Sequence, residues 1–482
     1  VTFKSISIFK DKCLLNGQWH AGKNDMAVDN PSTGEVIARV PSLGEKETNK
    51  AIDDAAHAFR SWRKTSPKER AHLLRQWHQL IINAKASLAY IMSCEQGKPL
   101  AEADAEIEYA ASYVLWFAEE AMRIQGEVLS SANTQQRLMV TRTPVGVCAA
   151  ITPWNFPAAM ITRKVAPALA SGCTMIVKPA QQTPLTALAL GELANQAGIP
   201  AGVLQIITGD ATAIGGAMTS NPIVRKLSFT GSTKIGALLM RQCANDVKKL
   251  SLELGGNAPF IVFDKGDVAH AVAELMKAKF RNAGQTCISP NRVYVQNAVK
   301  ASFTRALVDA VSQLKLGDGL DTETTIGPLI DKAAVQKVEA HIANAKTLGA
   351  RVLCGGKPVN KHTNWFEPTV LDSVAANAMC IEEETFGPLV PLVSFDTEEE
   401  VIALANNTPF GLAAYLFSDD IHQVERVVNE IESGMIGINT GVISAANAPF
   451  GGVKASGLGR EGAHAGIEEY LEMKYQCYGC KA

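Results

Sequence analysis

Apolar residues recur at three- and four-residue spacing across positions 46–125, first in ETNKAIDDAAHAFRSW and then from Pro67 through Ala121. That spacing lines one face of a helix, so the region is predicted to be helical. From Val145 the pattern changes to short continuous apolar runs, VGVCAAI, TMIVKP, GVLQIITG and KLSF, each followed by a helical stretch. AMITRKVAPALAS is predicted to be a helix closed by Gly172. Thr183-Pro184 is expected to supply a capping hydroxyl and a first-position proline for the helix LTALALGELANQAG. Further helices are expected from about Thr212 and about Ser232. Strands and helices alternating through short Gly/Pro connections predict a parallel sheet covered on both faces.

Beyond Leu254-Gly255-Gly256 the same style returns. APFIVF and RVYVQ read as strands, DVAHAVAELMKAKF as a helix, and two more α/β stretches run to about Gly437. A flexible glycine pair after a strand marks the expected break between domains. No fixed-period repeat, low-complexity segment or charged tail interrupts the chain.

Composition narrows the function classes. A length of 482 residues suggests two or three domains, and 47% hydrophobic with 20% charged residues is ordinary for a globular protein. Lys+Arg 46 against Asp+Glu 48 leaves a formal net charge of -2, without the basic surplus of a nucleic-acid binder. No apolar run approaches the ~18–20 residues that span a bilayer. The N-terminal apolar patch carries Lys4, Lys10, Asp11 and Lys12, too many charges for a signal-peptide core. A soluble cytoplasmic protein is expected, with no nucleic-acid or membrane partner. Most of the ten cysteines lie in apolar stretches and read as buried thiols. The close pair Cys477 and Cys480 lacks the second pair a structural zinc site needs, and no metal site is expected.

No G-x-G-x-x-G dinucleotide fingerprint follows any of the strands. Two weaker phosphate cradles are visible, from Gly209 to Gly215 and from Thr230 through Gly231 and Ser232 to Gly236. Each sets glycine at a strand-to-helix turn, where free N–H groups and the helix dipole favour an anion. Alone, either is an ordinary tight turn.

Four further segments change the picture: Pro153-Trp154-Asn155-Phe156-Pro157, Leu252-Glu253-Leu254-Gly255-Gly256, Gly284-Gln285-Thr286-Cys287 and Glu383-Glu384-Thr385-Phe386-Gly387-Pro388. In this order and at these distances they resemble the aldehyde dehydrogenase superfamily, from about Asn16-Gly17 to the last residues. The resemblance implies a Cys287 nucleophile, because a thiolate adds to an aldehyde carbon and is later displaced from a thioester. It implies that the Asn155 amide and the Cys287 main-chain N–H stabilise the oxyanion. It makes Glu253 the base that activates water for hydrolysis, which argues against the CoA-acylating branch. Taken singly, these residues read as a core cysteine, a turn asparagine and a glutamate solvated at a strand end.

For the cofactor the resemblance implies NADP or NAD. Lys178 and Glu384 match residues that hold the two riboses. Trp154, Gly231 and Ser232 match residues along the pyrophosphate and adenine, with Thr152, Gly209, Gly215, Thr230, Leu254 and Phe386 completing the expected site. NAD-preferring relatives often carry Glu where this chain has Gln181, a neutral residue that does not repel a 2′-phosphate. NADP is therefore expected to be accepted, and preference between the two stays open.

Within the superfamily the chain most resembles succinate-semialdehyde dehydrogenases, through MITRK, FRNAGQTC, Thr440-Gly441-Val442-Ile443-Ser444 and APFGGVKASGLGREG. That resemblance implies a small-molecule semialdehyde substrate whose distal carboxylate is held by Arg163, Arg281 and Ser444, since Arg forks match carboxylates. The alternative for either arginine is a structural ion pair. Glutarate semialdehyde stays open as substrate, because one methylene is worth only ~1–3 kcal/mol in discrimination. Some relatives carry a second cysteine two residues after the nucleophile. Here Ser289 and Pro290 follow, so no local disulfide switch is expected.

The fold implied is α/β. It has a Rossmann-like cofactor domain (1–121 and 143–255), an α/β catalytic domain (256–446) and a small β oligomerisation arm (122–142 and 463–482). A homodimer or homotetramer is expected from the arm's sheet edge. Two other classes remain in view. A Cys-dependent hydrolase would need a histidine beside the thiol, and a non-catalytic relative would have lost Cys287 or Glu253.

Overall fold

In the computed structural model, residues 3, 6–360 and 363–479 are described. The four apolar runs after Val145, with the stretch just before Leu254, form five parallel strands. Their spatial order is Lys249–Glu253, Val224–Thr230, Val147–Ile151, Thr174–Lys178 and Leu204–Ile206. They read as continuous apolar runs because helices cover both faces; Cys148, Ala149, Met175, Ile176 and Val177 are fully buried. Chain order reverses between Val147–Ile151 and Val224–Thr230. That reversal opens a crevice beyond the strands' carboxyl ends, where such sheets bind ligands. Cys13–Leu15 and Gln18–His20 extend one edge antiparallel, and the short strand Gly457–Leu458 closes the other against Leu252 and Glu253.

The N-terminal helical pattern resolves into Glu45–Trp62, Pro67–Asn83, Lys85–Gln96 and Leu100–Glu120. Ser66 caps the second of these ahead of Pro67, its hydroxyl accepting the Glu69 N–H. The helix Ala159–Ser171 is buried on every side and ends, as its sequence predicts, on left-handed Gly172 (φ +95°).

The next helix start corrects the sequence reading. Pro184 occupies the cap position of Leu185–Gln196, and the Thr183 hydroxyl reaches only the Trp154 carbonyl, at 3.5 Å. The free N–H groups of Leu185 and Thr186 instead donate to the two carboxylate oxygens of Glu95, at 2.7 and 2.8 Å. A carboxylate satisfies both orphan donors and complements the helix dipole, which a neighbouring hydroxyl does not.

The chain leaves the first sheet at Glu253 and enters a second at Ala258. That sheet runs Arg351–Cys354, Thr369–Asp372, Leu389–Phe395, Pro290–Gln296, Ala258–Val262, Ala413–Phe417, Met435–Ile438, parallel except at its first pair. A separate antiparallel sheet joins Glu127–Leu129, Gln136–Pro144 and Leu471–Gly479, with the C-terminal strand on its edge. Val128, Met473, Tyr475 and Tyr478 stand exposed on it. Cys477 is exposed there as well, while Cys480 lies outside the described residues.

Candidate active site

Two loops meet in the crevice because their strands are neighbours. Thr152 to Asn155 follow the strand Val147–Ile151, and Gly231 and Ser232 follow Val224–Thr230. Pro153, Trp154 and Asn155 of the first loop and Gly231 and Ser232 of the second line a cavity of about 370 Å³ with Leu254, Cys287, Glu384 and Phe386, and Thr152 lies behind it. Trp154 and Phe386 meet edge to face across it, centroids 5.6 Å apart at 85°. Ser232 caps the helix Thr233–Cys243 with a neutral hydroxyl. At the other expected cradle, Asp210 caps Ala211–Ser220 and takes the Ala213 N–H at 2.6 Å, setting a negative charge where an anion would dock. Gly209 there packs against the main chain: a Cβ would lie 2.1 Å from the Leu43 carbonyl oxygen. Of the two turns, the one at Ser232 faces the cavity.

Lys178 ends the strand beside Thr152, its Nζ 3.1 Å from the Pro179 carbonyl. Burial draws its ammonium down to about 8, partly offset by Asp210. Exposed Gln181 points its amide at the Gly209 carbonyl, 3.4 Å away. Gly215 lies further along the Asp210-capped helix.

The loop bearing Cys287 turns sharply. Asn282, Ala283 and Gly284 are all left-handed, at φ 52°, 54° and 75°. A side chain at Gly284 would meet the Gly387 carbonyl oxygen at 2.2 Å. A buried amide network holds the turn. Asn282 Nδ2 donates to the Asn155 carbonyl at 2.9 Å, and its Oδ1 accepts from Gln96 at 2.8 Å. Gln285 donates to the Asn282 and Pro328 carbonyls and accepts the Ile330 N–H. The Asn155 side-chain amide donates one hydrogen to the Gln285 carbonyl at 3.0 Å, and its second hydrogen stays available.

The ionisable groups around the thiol are strongly perturbed. Burial pushes the Cys287 thiol up to about 12, reinforced by Glu384 and opposed by Arg163. Glu253 is 3% exposed with no hydrogen-bond partner for Oε2. Burial, then the charge of Glu461, holds its carboxyl well above the ordinary range. Glu384 is raised to about 7 by burial while accepting the Gly256 N–H at 3.2 Å.

A second cavity of about 330 Å³ brings Arg281 and Ser444 together, with Ile288 beside the thiol and Glu102 and Lys277 on its wall. Arg163 does not line it. This arginine is 1% exposed in Ala159–Ser171 and ion-pairs with Glu461 (Nε–Oε2 2.5 Å). Its guanidinium lies 4.0 Å over the Phe450 ring, and Nη2 has no hydrogen-bond partner. Lys164 also pairs with Glu461. The three residues expected to grip one carboxylate are thus two in a shared cavity and one in a buried ion pair. Among the described residues no histidine hydrogen-bonds Cys287, and His341 faces Thr385 instead. No described histidine therefore supplies the partner a cysteine hydrolase needs.

Residues 19–476 match the profile of the aldehyde dehydrogenase family. The chain is 57% identical over 475 residues to a succinate-semialdehyde dehydrogenase [NADP(+)] of Escherichia coli K12, covering 98% of each. It is 56% identical over 476 residues to a glutarate-semialdehyde dehydrogenase of Pseudomonas putida, covering 98% of this chain and 99% of that one. A crystal structure of an aldehyde dehydrogenase from Brucella melitensis superposes with a TM-score of 0.98 at 56% identity, covering 99% of each. The chain belongs to the aldehyde dehydrogenase family.

As an aldehyde dehydrogenase the chain carries supporting residues that sequence reading missed. Gln96, Asn282 and Gln285 brace the cysteine loop, and Lys98 and Glu106 brace the Asn155 loop. Asn282 and Gln285 stand inside the quoted FRNAGQTC segment, yet nothing local says that their amides face inward. Gln96, Lys98 and Glu106 act across more than fifty residues of chain and leave no local pattern.

Proposed function

We propose that this enzyme oxidises an ω-carboxy aldehyde to the acid with NADP or NAD as acceptor. Succinate semialdehyde is the leading substrate and glutarate semialdehyde the alternative, the substrates that the two named relatives carry in their names. The observation that carries the reading is the position of Cys287. It lines the crevice at the sheet's switch point, and the adjacent Ile288 lines the cavity that holds Arg281 and Ser444.

The crevice suits a dinucleotide. The buried hydroxyls of Thr152 and Thr230 have no partner, and the neutral Ser232 cap opens a helix N-terminus toward it. Trp154, Gly231, Leu254, Glu384 and Phe386 would hold the bound cofactor, with Lys178 and Gln181 at its adenosine ribose. NADP is admitted because Gln181 is neutral beside Lys178, and the Escherichia coli relative bears NADP(+) in its name. When bound, the nicotinamide accepts hydride from the substrate carbon.

In the proposed sequence the Cys287 thiolate adds to the aldehyde. The free hydrogen of the Asn155 amide and the Cys287 N–H meet the oxyanion. Loss of hydride leaves a thioester on the sulfur. Glu253 then takes a proton from water, which attacks the acyl carbon and frees the acid and the thiol. Its raised carboxyl suits this task, since a carboxylate made more basic by burial takes a proton from water more readily. Arg281 and Ser444 hold the distal carboxylate. Arg163 adds positive charge from its ion pair, and its unpartnered Nη2 is a further donor. The three-stranded sheet serves as the oligomerisation arm of a homodimer or homotetramer, and the chain divides between cofactor and catalytic domains near Gly255.

A steady-state panel tests the reading: succinate semialdehyde, glutarate semialdehyde and butanal, each with NADP and with NAD. The ω-carboxy aldehydes should exceed butanal by at least tenfold in kcat/KM. Equal values for all three would remove the carboxylate from the proposal.

A further inference from the structure

Lys98 and Glu106 form a buried ion pair, 2.5 Å between charged atoms at 2% and 4% exposure, and none of the proposed catalytic or binding steps uses it. Taking two charges out of water is costly, and their attraction repays it only when further hydrogen bonds complete both groups. Those bonds all reach one loop. Lys98 Nζ donates to the Asn155 carbonyl at 2.8 Å and lies 4.3 Å over the Phe156 ring. Glu106 Oε1 accepts the N–H groups of Ala158 and Ala159, at 3.0 and 3.3 Å, where the helix Ala159–Ser171 begins.

The same stretch of chain grips the cysteine loop. Gln96 donates to Asn282 Oδ1 at 2.8 Å, and Glu102 accepts the Asn282 N–H at 2.7 Å. Asn282 in turn shares the Asn155 carbonyl with Lys98. One segment, residues 96–106, therefore holds the amide donor from one side and the thiol loop from the other. A charged donor on a main-chain carbonyl is stronger than a neutral one and fixes the peptide more firmly.

We infer that Lys98, anchored by Glu106, is a positioning residue that sets the Asn155 amide at the site of the oxyanion. The inference rests on the proposed role of Asn155. Removing one oxyanion donor costs roughly 10²–10³ in rate, and a misplaced donor loses part of that.

The experiment measures the pre-steady-state burst of NADPH with succinate semialdehyde in the intact enzyme. It compares wild type, Lys98→Met, Lys98→Met/Glu106→Gln, Asn155→Ala and Lys98→Met/Asn155→Ala. Lys98→Met alone strands a buried carboxylate. The neutral pair removes both charges and keeps an amide oxygen for the two helix N–H groups, so it separates misfolding from mispositioning. Alkylation of Cys287 by iodoacetamide is the control, because that reaction forms no oxyanion.

The burst rate should fall about ten- to a hundredfold in the neutral pair, with alkylation and NADPH affinity within twofold of wild type. Asn155→Ala should cost clearly less in the Lys98→Met background than in wild type, since the amide there is already displaced. A burst within twofold of wild type in the neutral pair overturns the inference. So does a parallel loss of burst and alkylation, which would mean that the pair only supports the fold. If Asn155→Ala itself leaves the burst unchanged, the proposed role of Asn155 falls first and takes this inference with it.

Discussion

The side-chain amide of Asn282 donates to the main-chain carbonyl of Asn155 at 2.9 Å, tying the loop after the strand Val147–Ile151 to the loop before Cys287. The two loops come from different sheets, so this bond sets the separation of thiol and amide donor. The chemical expectations below depend on that separation holding.

Replacing Cys287 by Ala should abolish dehydrogenase turnover and leave NADPH binding, read by fluorescence titration, within a few-fold of wild type. The thiol is raised to about 12 by burial. Its reactive thiolate is therefore scarce at neutral pH and should gain tenfold with each pH unit. Iodoacetamide inactivation of the cofactor-free enzyme should climb with that slope from pH 6 to about 9 without levelling. A plateau near pH 8 would mean that the thiol is less shielded than the structure shows.

Glu253→Gln should give a burst of NADPH close to wild type followed by a steady rate lower by about two orders of magnitude, because only hydrolysis needs a base on water. In the wild type the carboxyl is raised, so its basic form is lost as pH falls through that raised value. Steady turnover should decline toward acid for that reason, and the variant should lack this limb. A variant with no burst would place Glu253 in an earlier step.

Gln181→Glu should shift the ratio of kcat/KM for NADP over NAD downward by tenfold or more. A carboxylate beside Lys178 repels the 2′-phosphate and suits a free hydroxyl. Measuring both cofactors before and after substitution decides it, and an unchanged ratio would mean that the ribose is read elsewhere.

Arg281→Leu should cut kcat/KM for succinate semialdehyde by roughly ten- to a hundredfold while sparing butanal, which has no carboxylate to lose. Arg163→Leu should behave differently. It strips Glu461 of one of its two buried cations and should lower thermal stability, with both substrates affected. Equal losses on both substrates in Arg281→Leu would make that arginine structural.

The alternation of strands and helices was legible because buried parallel strands write continuous apolar runs, and Gly172 ended its helix where the sequence placed it. The motifs around Asn155, Glu253, Cys287 and Glu384 were readable as patterns, and folding brings them to one crevice. Caps supplied from afar were not readable: Glu95 serves a helix start at which the sequence places Thr183, because two oxygens aimed at two free N–H groups outrank sequence proximity. Arg163 marks a similar boundary. Its residue type invites a substrate, but only the fold reveals Glu461 within reach.

The short strand Gly457–Leu458 closes the first sheet against Leu252 and Glu253, and Glu461 follows three residues later to neutralise Arg163 and Lys164. During synthesis Glu253 therefore leaves the ribosome long before the strand that pairs with it and the carboxylate that raises it. A chain stopped short of that segment would hold Glu253 without the neighbouring Glu461 charge that helps to raise its carboxyl, and would leave Arg163 and Lys164 without their shared partner. The basicity of Glu253 is thus set by residues that follow the whole second sheet, so a carboxyl placed early in the chain is tuned late in it.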